Sequence, residues 1–485
     1  MNRRDFLKLS AAGVATLIVG SRIPGMGITD AFAATQTIDI TITDALKDMV
    51  THNSINTAQC YFWIYKMKAD GVDLPADCPG PTIVAVNGDS ITLNIKNDLD
   101  EPHSFFIPGM FDSGAINPGQ TVTKTLTINQ TGAFLYYDNL NEPVNRVMGL
   151  HGALVVRPSA AVLGHKFTPY DPPSTHVQNL FDDFGSSSHW PGLAWEEGDP
   201  NTSTPPFRTY VWLTHQASPA LFAEVGNLPP GQIYNPQTFM NAFLRDPFSP
   251  TRNNRIPQFF TINGQSGFFS HFSPAITPMG RIGEPVVVHI LNAGLWTHSM
   301  HLHCNHFFVT SVNGVVSDNP IWVDVYNVHP MDRVDYTVPF MRSPDIPNRR
   351  GIGRPDEPMT TINGHPVYPP IEEFEVYMPA AGKSIAQTAS GANVDLKQRM
   401  SPLCYPMHDH SEPSQTAQGG NYNCGLISGM YVTGDRNMGS SFMNFPMDED
   451  FAMMFRNIRG IAINPAQDVN VSDLRTVIPA PGPRP

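Results

Sequence analysis

The sequence predicts an all-β protein made of two β-sandwiches in tandem. Short runs of alternating and β-branched residues, for example 37–42 and 90–95, have the composition of strands and are separated by turn residues. The chain contains 46 Pro and 38 Gly, which mark many turns and favour sheet over a helix bundle. Its 485 residues exceed what a single hydrophobic core usually organises, so we expect two or three domains.

The first 34 residues have the features of a twin-arginine export signal. Arg3 and Arg4 precede a weakly apolar stretch at 9–20, and the small residues at 31–33 resemble a cleavage site. The apolar stretch is too short to cross about 30 Å of hydrocarbon, which argues against a membrane anchor. We therefore expect a periplasmic or extracellular protein, exported by a route that carries folded proteins and often a loaded cofactor.

Residues 35–160 are predicted to form the first sandwich. Its strand-like runs lie at residues 37–42, 82–86, 90–95 and 152–156, and residues 87–89 make a hairpin turn. Residues 161–204 are rich in Pro, Ser, Gly and Asp and show no sustained period. We interpret them as a connector.

Residues 205–436 are predicted to form the second sandwich. Its strand-like runs lie at residues 210–213, 259–264, 285–291 and 429–432. We interpret residues 343–400 as long surface loops inserted into this sandwich. The tail, residues 437–485, contains several methionines, for which a short packed helix is a better explanation than a copper-binding patch.

Charge and hydropathy exclude two classes of partner. The formal net charge of −13, with 15% charged residues, excludes a generic nucleic-acid binder. No segment after the signal is long and apolar enough to span a membrane. A small molecule or a metal ion remains as the expected substrate.

Five cysteines in an oxidising compartment predict two disulfides and one remaining thiol. Local pairing is the simplest connectivity, which would join Cys60 to Cys78 and Cys404 to Cys424. Cys304 would then remain, either as a ligand or as a small buried residue, next to a cluster of histidines.

That cluster contains His298, His301, His303 and His306 within nine residues. Alternate side chains of a strand share a face, so His301 and His303 project together, whereas His298 is an odd number of residues away and points elsewhere. A hydrogen-bonded histidine patch is the alternative to a metal site, but four histidines beside a strand favour metal.

A second cluster, His408-Asp409-His410, repeats the spacing of two histidines around one residue. Its imidazoles would share one face and Asp409 the other, unless the segment is only a polar turn. Together with His301 and His303, these residues offer four nitrogen ligands. Such a set suits copper or zinc better than magnesium or calcium.

Residues 294–303 resemble the third copper-ligand motif of the multicopper oxidases. Residues 78–83 followed by 87–89 are similar to the start of the family's N-terminal domain, and residues 149–156 resemble the strand after its second ligand motif. The resemblance implies tandem cupredoxin-like Greek-key sandwiches, the second with long insertions, and copper as the cofactor. It also implies that a homotrimer is a plausible assembly, since two-domain members of the family build a copper cluster between subunits.

The resemblance assigns roles to individual residues of the second sandwich. His298 would serve the type 1 copper, His301 the type 2 copper and His303 a type 3 copper. The fourth motif normally reads His-Cys-His, so Asp409 stands in place of the cysteine that binds blue copper. Met430 matches the position of the axial ligand.

The first two motifs depart from the family pattern. Phe106 and Pro108 stand where the first motif carries its histidines, and His103 is only an offset neighbour. Tyr137 and Asn139 stand where the second motif carries its histidines. Four ligands of the three-copper cluster are therefore missing.

Two functions fit these observations. One is an exported copper-binding homologue of the multicopper oxidases, an oxidoreductase with a reduced or atypical site that lacks the type 1 cysteine. The other is a non-catalytic periplasmic scaffold or assembly protein of the same fold. The predicted metal ligands are His301, His303, His408 and His410, with His298, His306, His103 and Met430 as further candidates. Neither catalytic residues nor a substrate can be assigned.

Overall fold

The computed structural model describes only part of the chain. The described residues are 16–18, 37–50, 57–158, 168–186, 209–244, 259–271, 276–282, 286–303, 305–338, 361–362, 365–366, 386–387, 393–394, 404–411, 414–415 and 425–435. The predicted tail, residues 437–485, and most of the predicted insertion at 343–400 lie outside them. So do Cys304 and Cys424.

The described residues are mostly strands. The strands are β1 (Thr16–Ile18), β2 (Thr37–Val50), β3 (Thr57–Ala69), β4 (Val72–Asp73), β5 (Thr82–Val86), β6 (Ser90–Asn97), β7 (Phe106–Ile107), β8 (Phe111–Asp112), β9 (Thr121–Thr127), β10 (Gly132–Tyr137), β11 (His151–Arg157), β12 (Thr209–Ala217), β13 (Phe259–Ile262), β14 (Met279–Ile282), β15 (Val286–Asn292), β16 (His298–Leu302), β17 (Phe307–Val312), β18 (Val315–Val323), β19 (Val325–Val328), β20 (Arg333–Val338), β21 (Thr361–Ile362), β22 (His365–Pro366), β23 (Ala386–Gln387), β24 (Asn393–Val394), β25 (Cys404–Asp409) and β26 (Ile427–Asp435). The helices are α1 (Val144–Val147), α2 (Thr175–Ser186), α3 (Pro219–Gly226), α4 (Pro236–Phe243) and α5 (Gly267–His271).

The first sandwich consists of two sheets, with strand orders β1-β5-β11-β10-β7-β8 and β4-β3-β2-β6-β9. Alternating residues of β6 are buried, as expected for a strand with one face on the core. Ile40 and Leu93 of one sheet and Phe134 and Leu154 of the other belong to the same buried cluster. Burial of these apolar side chains is the main favourable term that holds the two sheets together.

The second sandwich also consists of two sheets, with strand orders β13-β12-β15-β20-β17-β18 and β14-β26-β25-β16-β19. Val288, Ile290 and Tyr336 of the first sheet share the core with Met300 and Met430 of the second. The prediction of an all-β protein with two tandem sandwiches is thus confirmed.

The two sandwiches pack against each other through a second, smaller apolar cluster. Ala153 and Val155 of β11 meet Leu213 of β12 and Leu291 of β15 in this cluster. The intervening residues of β11 point into the core of the first sandwich, so every residue of this strand is buried. Both faces of β11 are therefore occupied, one by its own sandwich and one by the neighbouring sandwich.

Two elements lie in segments that the sequence assigned to other roles. Helix α2 lies within the predicted connector, and it packs against β18. Strand β1 lies within the predicted export signal and pairs in parallel with β5. Among the described residues, no helix is long and apolar enough to cross a membrane.

The disulfide predicted between Cys60 and Cys78 is not formed in this structure. Both residues are buried free thiols. The sulfur of Cys60 lies 4.0 Å from the carbonyl oxygen of Tyr61, and that of Cys78 lies 3.9 Å from the carbonyl oxygen of Gly149. Each thiol is therefore directed to a backbone acceptor instead of to the other cysteine. The second predicted pair includes Cys424, which is not among the described residues.

Candidate metal centre

The candidate centre lies on β16 and β25, which pair antiparallel with His301 opposite His408 and Met300 opposite Asp409. Burial alternates along β16, so that His298 and Met300 face the core while His301 faces outward. The same alternation in β25 buries Asp409 and leaves His408 only partly buried. One strand pair therefore has an inward face and an outward face with different chemistry.

The outward face brings together the four histidines of the two predicted pairs, which we call the outer cluster: His301, His303, His408 and His410. The ring centroids of His303 and His408 are 4.8 Å apart, and those of His301 and His410 are 5.1 Å apart. Ligand nitrogens of His301, His303 and His408 lie within 4.8 Å of one another. Three imidazoles are thus close enough to share one ion, and the ring of His410 lies next to them.

Hydrogen bonds orient the imidazoles of this cluster. Nδ1 of His301 donates to the carbonyl oxygen of Asp324 at 3.0 Å, and Nδ1 of His408 donates to that of Asp409 at 3.0 Å. A carbonyl only accepts, so Nε2 of each ring carries the free lone pair. Nε2 of His303 lies 2.7 Å from Nε2 of His408, where one proton must lie between the two nitrogens.

Burial favours the neutral form of His303 and His408 in this cluster. Burial and then the neighbouring imidazoles lower the pKa of His303. The pKa of His408 is also lowered, mainly by burial. Burial weakens the solvation of a protonated ring, and a second protonated imidazole nearby would repel it. The neutral imidazole is also the form of histidine that binds metal.

The inward face is closed by hydrogen bonds to Asp409. Its carboxylate accepts from His298 Nδ1 at 2.5 Å, from the backbone N–H of Ser299 at 2.7 Å and from that of Ser411 at 3.0 Å, and also from the Ser414 hydroxyl. Burial alone would raise the pKa of Asp409, but His298 and these donors outweigh it and lower the pKa. Asp409 is therefore a carboxylate whose lone pairs are used within the fold.

Gln216 of β12 completes the inward face. Its Oε1 accepts from the backbone N–H of Leu295 at 2.7 Å, and its Nε2 donates to Nε2 of His298 at 2.8 Å. Since Nδ1 of His298 donates to Asp409, both ring nitrogens of His298 are engaged. The sequence does not reveal this role of Gln216, because Gln216 lies 82 residues from His298 in a strand that carries no ligand motif.

Two segments of the chain match sequence models described as multicopper oxidase, residues 64–161 and residues 242–341. Each sandwich contains one of the matched segments, so each carries a segment of the multicopper oxidase family. Members of this family bind copper. Copper is therefore the ion whose ligand preferences are compared with the donor atoms of the outer cluster.

Relatives of known activity match only a short part of the chain. An L-ascorbate oxidase from Cucurbita pepo var. melopepo is 34% identical over 94 residues, which is 16% of this chain and 17% of that protein. An L-ascorbate oxidase from Cucurbita maxima is 33% identical over 94 residues, 16% of each chain. The matched segment thus spans about a sixth of the length of these relatives.

Solved structures are similar over more of the chain, at low identity. A blue copper oxidase from Nitrosomonas europaea aligns with a TM-score of 0.45 and 16% identity, covering 85% of this chain and 91% of that chain. A copper nitrite reductase from the same organism aligns with a TM-score of 0.43 and 14% identity, covering 82% of this chain and 94% of that one.

The first sandwich carries aromatic and hydrogen-bonded side chains at and beside the positions that the resemblance assigns to ligands. Phe106 of β7 pairs with Tyr137 of β10, and their rings meet edge to face with centroids 5.4 Å apart. Nδ1 of His103 lies 2.7 Å from the buried carboxylate of Asp138. His103, a further candidate ligand, is therefore held in the core of the first sandwich.

Two other candidates have packing roles in the second sandwich. His306 stacks on Trp322, with ring centroids 5.4 Å apart and planes 15° apart. Met430 is buried in the core opposite Tyr405 of β25. The structure brings the four histidines of the outer cluster together, and it places His298, His306 and Met430 in other contacts.

The outer cluster fits copper by the chemistry of its donors. Imidazole nitrogen suits Cu(II), and histidine binds it as a neutral ring with a free lone pair. His301 and His408 each fix one ring N–H on a backbone carbonyl, which is the usual arrangement of metal-binding histidines. Nε2 of His301 is then available to an ion, and an ion could replace the proton between Nε2 of His408 and Nε2 of His303. The inward face does not fit copper, because His298 and Asp409 already use their donor atoms within the fold.

Proposed function

We propose that this chain is an exported copper-binding protein whose outer cluster holds one Cu(II) in an atypical site. The observation that carries the proposal is the contrast in available nitrogens. Nε2 of His301 is open, and Nε2 of His408 meets only the imidazole of His303, itself a proposed ligand. Both nitrogens of His298 are instead held by Asp409 and Gln216. Copper bound at the outer cluster would supply one-electron chemistry between Cu(II) and Cu(I).

The chain's own residues would limit that chemistry. No thiolate is present at position 409, and a thiolate is the ligand that carries electrons from a blue copper in this family. Phe106 and Tyr137 stand at ligand positions of the first sandwich. The proposed site is therefore a single copper with oxidoreductase potential and without the complete four-copper set of the family.

A non-catalytic scaffold or assembly protein is the second candidate function. The closed inward face favours it, because Asp409, His298 and Gln216 act there as a hydrogen-bonded unit of the core. Oxygen consumption separates the two candidates. Since the partly matching relatives are L-ascorbate oxidases, ascorbate is the first reductant to supply to copper-loaded protein. Copper-dependent turnover supports the oxidoreductase, and copper binding with no turnover supports the scaffold.

Location and assembly are part of the same proposal. Arg3 and Arg4 with the small residues at 31–33 support export by the twin-arginine route to the periplasm or beyond. Three of the four outer histidines are only partly buried and His410 is exposed, so a second copy in a homotrimer could cover them. Fractionation of the producing cells and the mass of the purified protein in solution test these two points.

The proposed ligand set makes a specific prediction for copper affinity. His303→Ala or His410→Ala should weaken Cu(II) binding by about 100-fold, because each removes one of four nitrogen donors. His298→Ala is the matched control and should keep Cu(II) affinity within about threefold, since its nitrogens are already engaged. Competition with a chelator measures the affinities, and paramagnetic resonance should show nitrogen-ligated Cu(II) without the intense thiolate absorption of a blue site.

The opposite pattern would reject the assignment. If His298→Ala abolishes Cu(II) binding while His410→Ala retains it, the inward face is the copper site. Circular dichroism of each copper-free variant checks that the fold is intact before the affinities are compared.

A further inference from the structure

A second group of metal-ligating side chains lies buried between the two sandwiches: Cys78, His151 and His215. Cys78 precedes β5, His151 begins β11, and His215 lies in β12 of the other sandwich. One ligand atom from each of the three residues lies within 4.8 Å of the others. Each of the three residues is at most 2% exposed. We call them the interdomain group.

Strand alternation explains why the two imidazoles meet. His151 shares a face of β11 with Ala153 and Val155, which belong to the apolar cluster between the sandwiches. His215 shares a face of β12 with Leu213 of the same cluster. The two rings therefore face each other across the interface, with centroids 4.4 Å apart.

Cys78 reaches the interface through a tightly packed loop. Its carbonyl oxygen accepts a hydrogen bond from Lys47 Nζ at 2.8 Å. Gly149 has a φ of +125°, and a side chain there would collide with the backbone of Trp63 and crowd the Cys78 sulfur. Lys47 thus holds the backbone of Cys78, and the close backbone of Gly149 positions its sulfur.

Both imidazoles retain a lone pair for an ion. Nδ1 of His151 donates to the carbonyl oxygen of Arg146 at 2.8 Å, which leaves Nε2 as the acceptor, and this buried atom has no hydrogen-bond partner within the described part of the chain. Nε2 of His215 donates to the carbonyl oxygen of Val147 at 2.7 Å, so the lone pair is on Nδ1. A buried nitrogen without a partner costs free energy that a bound ion would recover.

Burial also fixes the protonation of the group. It lowers the pKa of His151 to about 3 and lowers the pKa of His215 as well. Both rings are therefore neutral, which is the form in which histidine binds a metal ion. Burial raises the pKa of the Cys78 thiol, so this residue carries its proton until an ion replaces it.

We propose that Cys78, His151 and His215 bind one Cu(I) ion. On binding, the sulfur–proton bond of Cys78 breaks, the proton leaves to solvent and a sulfur–copper bond forms, with no change of oxidation state. The thiolate then neutralises the single charge of Cu(I), whereas Zn(II) would leave one uncompensated positive charge in a buried site.

Charge and donor number both favour this ion over Zn(II). Lys47 and Arg146 lie near enough to act electrostatically on both imidazoles, so a further positive charge there would be unfavourable. Soft thiolate ligands select Cu(I), while structural zinc is almost always bound by four ligands and this group supplies three.

The proposed site is distinct from the outer cluster and from the four ligand motifs of the family. Cys78 and His151 belong to the first sandwich and His215 to the second, so an ion would connect the two domains by bonds to both. The expected consequence is a higher unfolding temperature for protein loaded with Cu(I), because only the folded arrangement presents all three ligands.

The test uses the full chain with the outer cluster removed by His303→Ala and His408→Ala. In this background, anaerobic titration against a Cu(I) chelator should show one tightly bound Cu(I) per chain. Cys78→Ser should weaken that binding by about 100-fold, while Cys60→Ser, which replaces the other buried thiol, should keep it within about threefold. Failure of the outer-cluster proposal would not change these results, since two of the four outer histidines are absent and Cys78 is not part of that cluster.

X-ray absorption at the copper edge decides the matter even if Cys78→Ser does not fold. The background protein loaded with Cu(I) should show one sulfur and two nitrogen neighbours. Equal Cu(I) affinity in folded Cys78→Ser, a copper environment without sulfur, or stronger binding of Zn(II) than of Cu(I) would each overturn the proposal. A disulfide between Cys60 and Cys78 in the protein matured through its own export route would overturn it as well.

Discussion

The inward and outward faces of β16 and β25 both carry histidines, but they leave different atoms available. On the inward face, Asp409 and Gln216 engage both ring nitrogens of His298. On the outward face, backbone carbonyls engage one nitrogen of His301 and of His408, and the second nitrogen of His408 meets only another imidazole of the outer cluster. Retention of a histidine at a motif position therefore does not imply retention of a metal ligand. The hydrogen bonds around the ring decide whether its lone pair is free.

The carboxylate at position 409 explains why the inward face does not fit copper. A thiolate is a soft ligand and a weak hydrogen-bond acceptor, whereas the carboxylate accepts from His298, from two backbone N–H groups and from a hydroxyl. The inward face is thus a polar network inside the core. We expect it to contribute to folding stability, and we expect the outward face to contribute to copper binding.

The largest expected effect is on folding stability and concerns Asp409. In copper-free protein, Asp409→Ala should lower the free energy of unfolding by about 3–5 kcal/mol, because it leaves buried donors without their acceptor. Asp409→Asn keeps one carbonyl acceptor and should lose less. Urea unfolding measures both variants, and Cu(II) affinity at the outer cluster should stay within about threefold. An Asp409→Ala variant as stable as the parent would show that the inward network contributes nothing.

A smaller loss of stability is expected at Gln216. Gln216→Leu leaves Nε2 of His298 and the backbone N–H of Leu295 without partners, which should cost about 1–3 kcal/mol. Gln59→Leu is the matched control, since Gln59 is exposed on β3 and should change stability by less than about 0.5 kcal/mol. Thermal or urea unfolding compares the two. Equal stabilities would mean that His298 finds another partner.

The pattern of the outer cluster could be predicted from the sequence because its cause is local. Side chains alternate along a strand, so the spacing of His301 and His303, and of His408 and His410, places each pair on one face. The resemblance to ligand motifs also indicated that the two strands belong to one sandwich. Neither step needed knowledge of distant side chains.

The closed inward face and the interdomain group depend on long-range packing. Gln216 reaches His298 from a strand without a ligand motif, and His151 meets His215 only because the two sandwiches pack face to face. Sequence proximity suggested pairing Cys60 with Cys78, but the local backbone directs each thiol to a carbonyl. Spacing along the chain does not specify such contacts, because they depend on how separate elements dock.

The smallest expected effect is on the pH dependence of stability in copper-free protein. The pKa values of His303 and His408 are lowered from 6.5 in the folded protein, mainly by burial, so the unfolded chain binds more protons in acid. Their contribution is complete above pH 6.5 and is lost as the pH falls below that value towards the folded pKa values. The double variant His303→Ala/His408→Ala should therefore lose slightly less stability than the parent between about pH 7.5 and about pH 5.5. Urea unfolding at the two pH values measures the difference, and an identical loss in the parent and the double variant would argue that the outer imidazoles are as solvated as in the unfolded chain.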